Sequence, residues 1–408
     1  MDREIETVIV GGGQAGLAVS YFLTNAGREH VVLEQASQAG HAWRDDRWDS
    51  FTLVTPNWSF RLPGAEYRGD SPDGFMPRDD IVGHFESYVR VNRLPVEFGV
   101  RVDKVEADDD GGYRVESSLG RLRAKQVVIA TGLFQKPAIP PWAREVPESV
   151  FQIHSGKYRN PSALPPGAVL VVGSGQSGCQ IAEELLQSGR EVYLSTGRAG
   201  RAPRRFRGKD IYEWASLIGL LDRTSAQLRS PQERFASNPL VSGRDGGHTL
   251  NLHRFARDGM HLFGRAQGAL AGRVFFASDL AENLAFSDQF ERNLLQRIDG
   301  YIRLTGLEAP AETVPELKDG YETPSMNELD LIDAGVTTLI WAMGYDFDFS
   351  LVKFPVVDET GFPRSQNGET SSRGLYFCGM PWLPGQKSGL LLGVGEQAYF
   401  VARKITGK

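Results

Sequence analysis

Two glycine clusters of one spacing are the residues of this 408-residue chain whose types and separation point most directly to chemistry. Gly11, Gly13 and Gly16 follow the apolar run Thr7-Val8-Ile9-Val10, and Gly173, Gly175 and Gly178 follow Ala168-Val169-Leu170-Val171-Val172. In such a set the first glycine permits a tight turn, the second lets backbone N–H groups approach a diphosphate, and the third lets a helix pack closely on a strand. Gln14 and Ala15 in one copy, Gln176 and Ser177 in the other, then lead into helical apolar spacing. The N-terminus of such a helix offers unpaired donors and a positive dipole end to an anion. One glycine set alone also fits an ordinary turn. Two sets, each between strand and helix, argue for two separate dinucleotide sites.

The copies differ where a ribose would be read. After the first, Val31-Val32-Leu33 ends on Glu34 and Gln35, with the acid roughly 20 residues beyond the turn, where it can bond a ribose hydroxyl. After the second stands Ser195-Thr196-Gly197-Arg198, followed by Arg201, Arg204, Arg205 and Arg207. A missing acid and a gained arginine accommodate a ribose 2′-phosphate, because a guanidinium pairs with phosphate that a carboxylate would repel. NADPH is therefore expected over NADH. The alternative for Arg201 to Arg207 is a solvated surface face.

Around the turns, the elements that must position them can be read in order. Gly40 to Gly64 is irregular and aromatic, with Trp43, Arg47, Trp48, Phe51 and the run Leu53-Val54-Thr55-Pro56-Asn57; it either packs over a flat ring system or fills a core. Asp79 to Arg93 has helical spacing. From Val96 to Ile129, alternation about an Asp108-Asp109-Asp110-Gly111-Gly112 turn predicts a small antiparallel sheet closing over the first unit. Gln126 to Ile129 runs as a buried strand into Ala130-Thr131-Gly132, small residues where a ligand can come close, and Val336 to Trp341 ending in Ala342-Met343-Gly344 echoes it. Lys136 to Pro141 reads as a linker and Leu280 to Leu304 as a helix. Leu375 to Gly379 reads as a strand, and Gly393-Val394-Gly395 opens a helix, Glu396 to Ile405, packed on the first unit with its N-terminus toward a bound ring. Asp210 to Phe275 holds a predicted helix, Tyr212 to Leu221, and three histidines, His248, His253 and His261, with no metal-ligand spacing, so no metal is expected. It is compatible with a substrate-pocket wall and equally with the dimerisation surface of a homodimer.

Composition bounds these readings. Hydrophobic residues make up 41% and charged residues 24%, as in a globular protein, and the length exceeds what one core usually fills. A net charge of −6 gives no global attraction to nucleic acid or anionic membrane. No apolar run approaches the ~18 residues of a membrane span, and the charged residues before Thr7 leave no room for a cleavable signal peptide. Cys179 and Cys378, the only two cysteines, form no Cys-x-x-Cys pair, which points to a reducing cytoplasm and away from disulfide exchange.

Taken together these residues resemble the flavin-containing monooxygenases, class B flavoprotein monooxygenases built on two dinucleotide domains. The matches are the first glycine motif with Glu34, Trp43 to Asn57, Ala130-Thr131-Gly132, the second glycine motif with Arg198, and Ala342-Met343-Gly344, spread over nearly the whole chain. Gly208-Lys209-Asp210 and Ser242 to Gly247 further resemble a bacterial branch of flavoproteins tied by name to cation transport. Of the family motif Phe-x-Gly-x-x-x-His-x-x-x-Tyr/Phe, His154 and Tyr158 are present, while Glu148 and Val150 stand where Phe and Gly belong. Baeyer–Villiger relatives have Trp where Tyr158 stands, which disfavours ketone oxygenation. The resemblance implies an α/β fold of two Rossmann-like domains, the second inserted into the first, with a small antiparallel β element. Residues 1–160 and 320–408 would bind FAD, and 165–315 NADPH, with an insertion at about 200–275. It also implies that NADPH reduces FAD, that O2 adds to the flavin as a C4a-hydroperoxide, and that one oxygen passes to a small nitrogen- or sulfur-containing substrate. Asn57 would donate a hydrogen bond at the flavin, with His154 and Tyr158 placing the nicotinamide side. Thr55, Val102, Gly379 and Leu391 join the cofactor contacts. Two other readings stay open: an NADPH-dependent flavin reductase that never transfers oxygen, and a non-catalytic nucleotide-sensing regulator.

Overall fold

The first sheet grows outward from the opening apolar run. In the computed structural model, which describes residues 3–108, 111–236, 238–324 and 326–407, Arg3–Val10 lies between two parallel neighbours, His30–Glu34 and Gly120–Ile129. Val96–Phe98 extends the sheet beyond His30–Glu34, again in parallel. Both faces are covered, which is why these runs are almost continuously apolar; Val8, Ile9, Val32, Val127 and Val128 are wholly buried. Gly120–Ile129 is long enough to take two neighbours along its other edge. Its first half pairs antiparallel with Tyr113–Ser117, and its last three residues pair in parallel with Leu375–Phe377. Val102–Ala107 completes the edge. The expected antiparallel sheet is thus a continuation of the main sheet and not a cover over it. Asp109 and Asp110 of its predicted turn lie outside the described residues.

The second sheet is wholly parallel, in the order Phe151–His154, Val336–Trp341, Ala168–Val172, Val192–Ser195, His261–Phe263. Phe151–His154 and Val336–Trp341 fall inside the ranges expected for the first unit, so the second sheet draws in strands from both flanks of the predicted boundaries. A three-stranded antiparallel sheet, Ala266–Leu270, Arg273–Phe276 and Glu328–Asp330, falls in sequence between His261–Phe263 and Val336–Trp341.

Helix Gln14–Asn25 runs from the first glycine turn and helix Gln176–Gln187 from the second. Val394–Thr406 returns to pack against Gln14–Asn25. A continuous core joins the units, with Ile9, Leu17 and Val401 from one and Tyr158, Val169 and Ile181 from the other. The insertion is bolted to the first unit at several places. Arg204 donates to the Val54 carbonyl at 2.7 Å and Gly243 sits so close to Leu53 that a Cβ would fall 1.9 Å from its carbonyl oxygen. Farther on, Arg234 pairs with Asp358 at 2.7 Å and Phe235 stacks on Phe347. Among the described residues no helix is long and apolar enough to cross a membrane.

Candidate dinucleotide and active site

The two glycine turns are built alike, atom for atom. A Cβ on Gly11 would lie 2.7 Å from the Ala130 oxygen, and one on Gly173 would lie 2.5 Å from that of Ala342. At Gly16 and Gly178 the added carbon would fall 1.9 Å from the carbonyl oxygens of Gly11 and Gly173 respectively. Gly11 and Gly173 also have φ of +105° and +109°, which side chains other than glycine seldom adopt. The middle glycines behave oppositely: neither Gly13 nor Gly175 has anything within 4 Å of the Cβ position. Both helices begin without a side-chain cap, so their first N–H groups face that open space. An open cradle before an uncapped helix is what a diphosphate requires, and the residues at both turns fit one. Gly132 and Gly344 follow the two small-residue strand ends. Gly379 approaches the first helix from the C-terminal side; its Cβ would meet that of Ala15 at 2.2 Å. Gln14 donates to the Gly389 carbonyl at 2.8 Å, and Leu391 is buried two residues further on.

Glu34 closes its strand beside the first turn. Its carboxylate accepts from Gly12 N at 2.5 Å and Ala36 N at 2.8 Å, while Gln35 points to solvent. Gly12, which the sequence reading passed over, is needed there: a Cβ would press on the Glu34 side chain at 2.9 Å. In the second unit Ser195 and Thr196 are buried with committed hydroxyls. Ser195 donates to the Gly264 carbonyl and accepts from Ala266 N; Thr196 donates to the Phe263 carbonyl at 2.7 Å. Arg198 is exposed, with no partner among the described residues. The arginines after it are neither a solvated face nor a free phosphate cluster. Arg201 is buried between Asp288 and Glu291, Arg204 pairs with buried Asp210, Arg205 reaches the Gly246 and Gly247 carbonyls, and Arg207 meets Asp299. Asp288, Glu291 and Asp299 lie far away in sequence, beyond what local spacing reveals.

Between the units lie the two family-motif residues. His154 is buried, and both ring nitrogens are engaged: Nε2 with the Gly344 carbonyl at 2.9 Å, and Nδ1 with Gly156 N at 3.1 Å. Since Nδ1 accepts there, Nε2 carries the proton and the ring is neutral. Burial lowers its pKa, partly offset by the Gly344 bond. Tyr158 is fully buried and donates to Glu184 at 2.8 Å, while Ser50 donates to the other Glu184 oxygen at 2.6 Å. Burial and the Glu184 carboxylate push the Tyr158 pKa up. Both side chains therefore hold protein groups together. Asn57, in the short turn Asn57–Ser59, donates to the Ser71 carbonyl at 2.9 Å and keeps Oδ1 buried with no partner among the described residues. The atom left over is thus an acceptor, where the sequence suggested a donor. Trp48 is core, edge-on to Phe51; Trp43 is half-buried. Thr55, Thr131 and Val102 are partly exposed, and Met343 is 45% exposed at the end of its strand. Cys179 and Cys378 are buried; burial pushes the first thiol up and the second to about 12. His248 pairs with Glu183, His253 with Asp288, and His261 with Glu191.

Two nucleotide cradles in one chain, joined by a common core, define a flavoprotein oxidoreductase of the two-dinucleotide kind. A family model described as pyridine nucleotide-disulphide oxidoreductase matches residues 8–210. An uncharacterized CzcO-like oxidoreductase of Geobacillus kaustophilus (strain HTA426) is 32% identical over 409 residues, covering 99% of each chain. A probable indole-3-pyruvate monooxygenase, YUCCA4 of Arabidopsis thaliana, is 32% identical over 182 residues, 44% of this chain and 43% of its own. Among solved structures, a flavin-containing monooxygenase from Stenotrophomonas maltophilia superposes with a TM-score of 0.67 at 19% identity, covering 100% of this chain and 99% of the other. The chain belongs to the CzcO-like oxidoreductases. FAD and NADPH are the pair expected from the sequence, and the description of the matching family model names a pyridine nucleotide.

Proposed function

We propose that the chain is an FAD- and NADPH-dependent monooxygenase that transfers one atom of O2 to a small nitrogen- or sulfur-containing substrate. The observation that carries the reading is the duplicated cradle, one copy beside an acid and the other beside a free arginine. Bound flavin accepts hydride and activates oxygen; the protein orients, hydrogen-bonds and keeps water out. On this reading Glu34 takes ribose hydroxyls of the first nucleotide, and Arg198 the 2′-phosphate of the second. His154 and Tyr158 are positioning residues. One fixes the Gly344 carbonyl at the end of the second unit's strand, and the other ties helix Gln176–Gln187 to the stretch holding Trp48. Asn57 Oδ1 would accept a hydrogen bond from ring or substrate. The YUCCA4 likeness, over nearly half the chain, supports oxygen transfer. Thiol–disulfide exchange is disfavoured because both cysteines are buried, protonated and far apart in sequence.

The test is rapid mixing. NADPH should bleach the flavin anaerobically, and mixing the reduced protein with O2 should give a transient absorbance distinct from oxidised and reduced flavin before the yellow colour returns. Direct return without it favours the reductase. Protein that takes up no FAD, or whose flavin NADPH cannot bleach, ends the reading.

A further inference from the structure

Arginines that are buried or half-buried in this chain come with partners. Arg201 and Arg204 have carboxylates; Arg159 and Arg190, which have none, each reach several backbone carbonyls. Arg47 fits neither pattern. Among the described residues no carboxylate lies within ion-pair distance of its guanidinium, and one carbonyl, that of Asp46, accepts from Nη1 at 2.7 Å. The neighbouring Asp46 carboxylate is committed elsewhere, to Lys157 at 2.9 Å and His41 at 3.7 Å. Trp43 and Phe51 cover the guanidinium, with ring centres 5.5 and 5.6 Å away, and the Tyr345 hydroxyl is its other polar neighbour. Burial lowers the pKa of Arg47, as expected of a cation taken from water without full compensation. Most of its five donors are left for something else.

Its place in the fold says what that is. Arg47 stands in the stretch that follows the first dinucleotide unit, its own carbonyl pinned by Arg159 at 3.0 Å. Tyr345 comes directly after Gly344 at the end of the second unit's strand and packs on His154 at 4.8 Å. The guanidinium therefore sits at the seam between the two units. Phe134, 5.6 Å from the Tyr345 ring, is 74% exposed, and Met343 is 45% exposed, which gives the seam an apolar flank.

Resting on the reading above, we propose that Arg47 is an oxyanion-binding residue of this seam, gripping a carboxylate or phosphate through paired N–H donors. The anion is either the acid group of a small apolar substrate or the diphosphate of the nicotinamide nucleotide. A planar fork of donors suits both.

The experiment uses the FAD-loaded protein, oxidised, with benzoate, inorganic pyrophosphate and NADP+ as probes and the flavin difference spectrum or titration calorimetry as readout. Wild type should bind at least one of the two simple anions saturably. Arg47→Met should weaken that binding about tenfold or more, and Arg47→Lys by less. Loss confined to benzoate assigns the site to a substrate's acid group. Loss confined to pyrophosphate, with a matching loss for NADP+, assigns it to the nucleotide. Loss for both keeps the oxyanion site and ranks its sources by the larger ratio. If the methionine variant does not retain flavin, the lysine variant decides: about threefold or greater weakening is expected. Equal binding by wild type and variant overturns the proposal, as does a wild type that binds neither anion. Either result leaves NADPH bleaching and the oxygen transient of wild type untouched, so the monooxygenase reading stands or falls separately.

Discussion

Gly175 separates what the protein needs from what a nucleotide needs, and Gly175→Ala turns that separation into a measurement. The backbone there, φ −72° and ψ −173°, is extended and open to any residue, and an added methyl meets no protein atom within 4 Å. The fold should therefore lose at most about 1 kcal/mol, the order of a helix-cap preference, seen as a fall of roughly 1 °C in Tm. The same methyl intrudes where a diphosphate would approach the N–H groups of Gln176–Gln187. Losing one charge-assisted hydrogen bond costs about 1.5–3 kcal/mol, or roughly tenfold to 150-fold in affinity. Anaerobic stopped-flow bleaching across a range of NADPH concentrations reads this directly. FAD content should stay normal while the half-saturating NADPH concentration rises at least about tenfold. Unchanged half-saturation would refute the assignment of this turn to the nicotinamide nucleotide. Loss of FAD instead would show that the two cradles are assigned the wrong way round.

Other outcomes follow from the same geometry. Gly16→Ala places a carbon 1.9 Å from the Gly11 oxygen, so the strand–helix contact itself should fail; FAD content and Tm should fall together, and a variant that keeps both would show the contact to be pliable. Arg198→Ala should weaken NADPH far more than NADH, measured as the ratio of half-saturating concentrations; equal loss removes the reason for placing the 2′-phosphate there. Tyr158→Phe should cost about 1–3 kcal/mol in denaturant unfolding by taking a donor from Glu184, with half-saturation for NADPH moving less than in Gly175→Ala. His248 hydrogen-bonds Glu183, and its pKa is raised above 6.5 chiefly by that bond. The stabilisation from this pair is complete below about 6.5 and is lost as pH rises through the folded value. Tm should therefore decline above that point in wild type and stay flatter in His248→Gln; parallel curves would disprove the link.

The sequence revealed most where a residue's role is set by its own backbone. Gly11, Gly16, Gly173 and Gly178 are legible because no side chain fits those turns, and Glu34 because its distance from the turn is fixed by one helix and one strand. Helices Arg78–Val91, Leu280–Thr305 and Val394–Thr406 lie close to where apolar spacing put them. Roles fixed by distant partners were hidden. Arg201 looks like a phosphate ligand until Asp288 and Glu291 are brought beside it, and nothing local to His154 shows that its Nε2 bonds the Gly344 carbonyl. Sheet membership was hidden for the same reason: Phe151–His154 carries no mark saying that its neighbour is Val336–Trp341.

Leu375–Phe377 completes the edge of Gly120–Ile129, and Val394–Thr406 lies on Gln14–Asn25. The strand, turn and helix that open the chain are thus translated first but gain these neighbours last. During synthesis both sheets have most of their strands in hand before Leu375–Phe377 is made, and only the first still waits for a strand and a helix. A ribosome stalled before Leu375 would carry the second glycine turn with its sheet complete and the first still short of one strand and one helix.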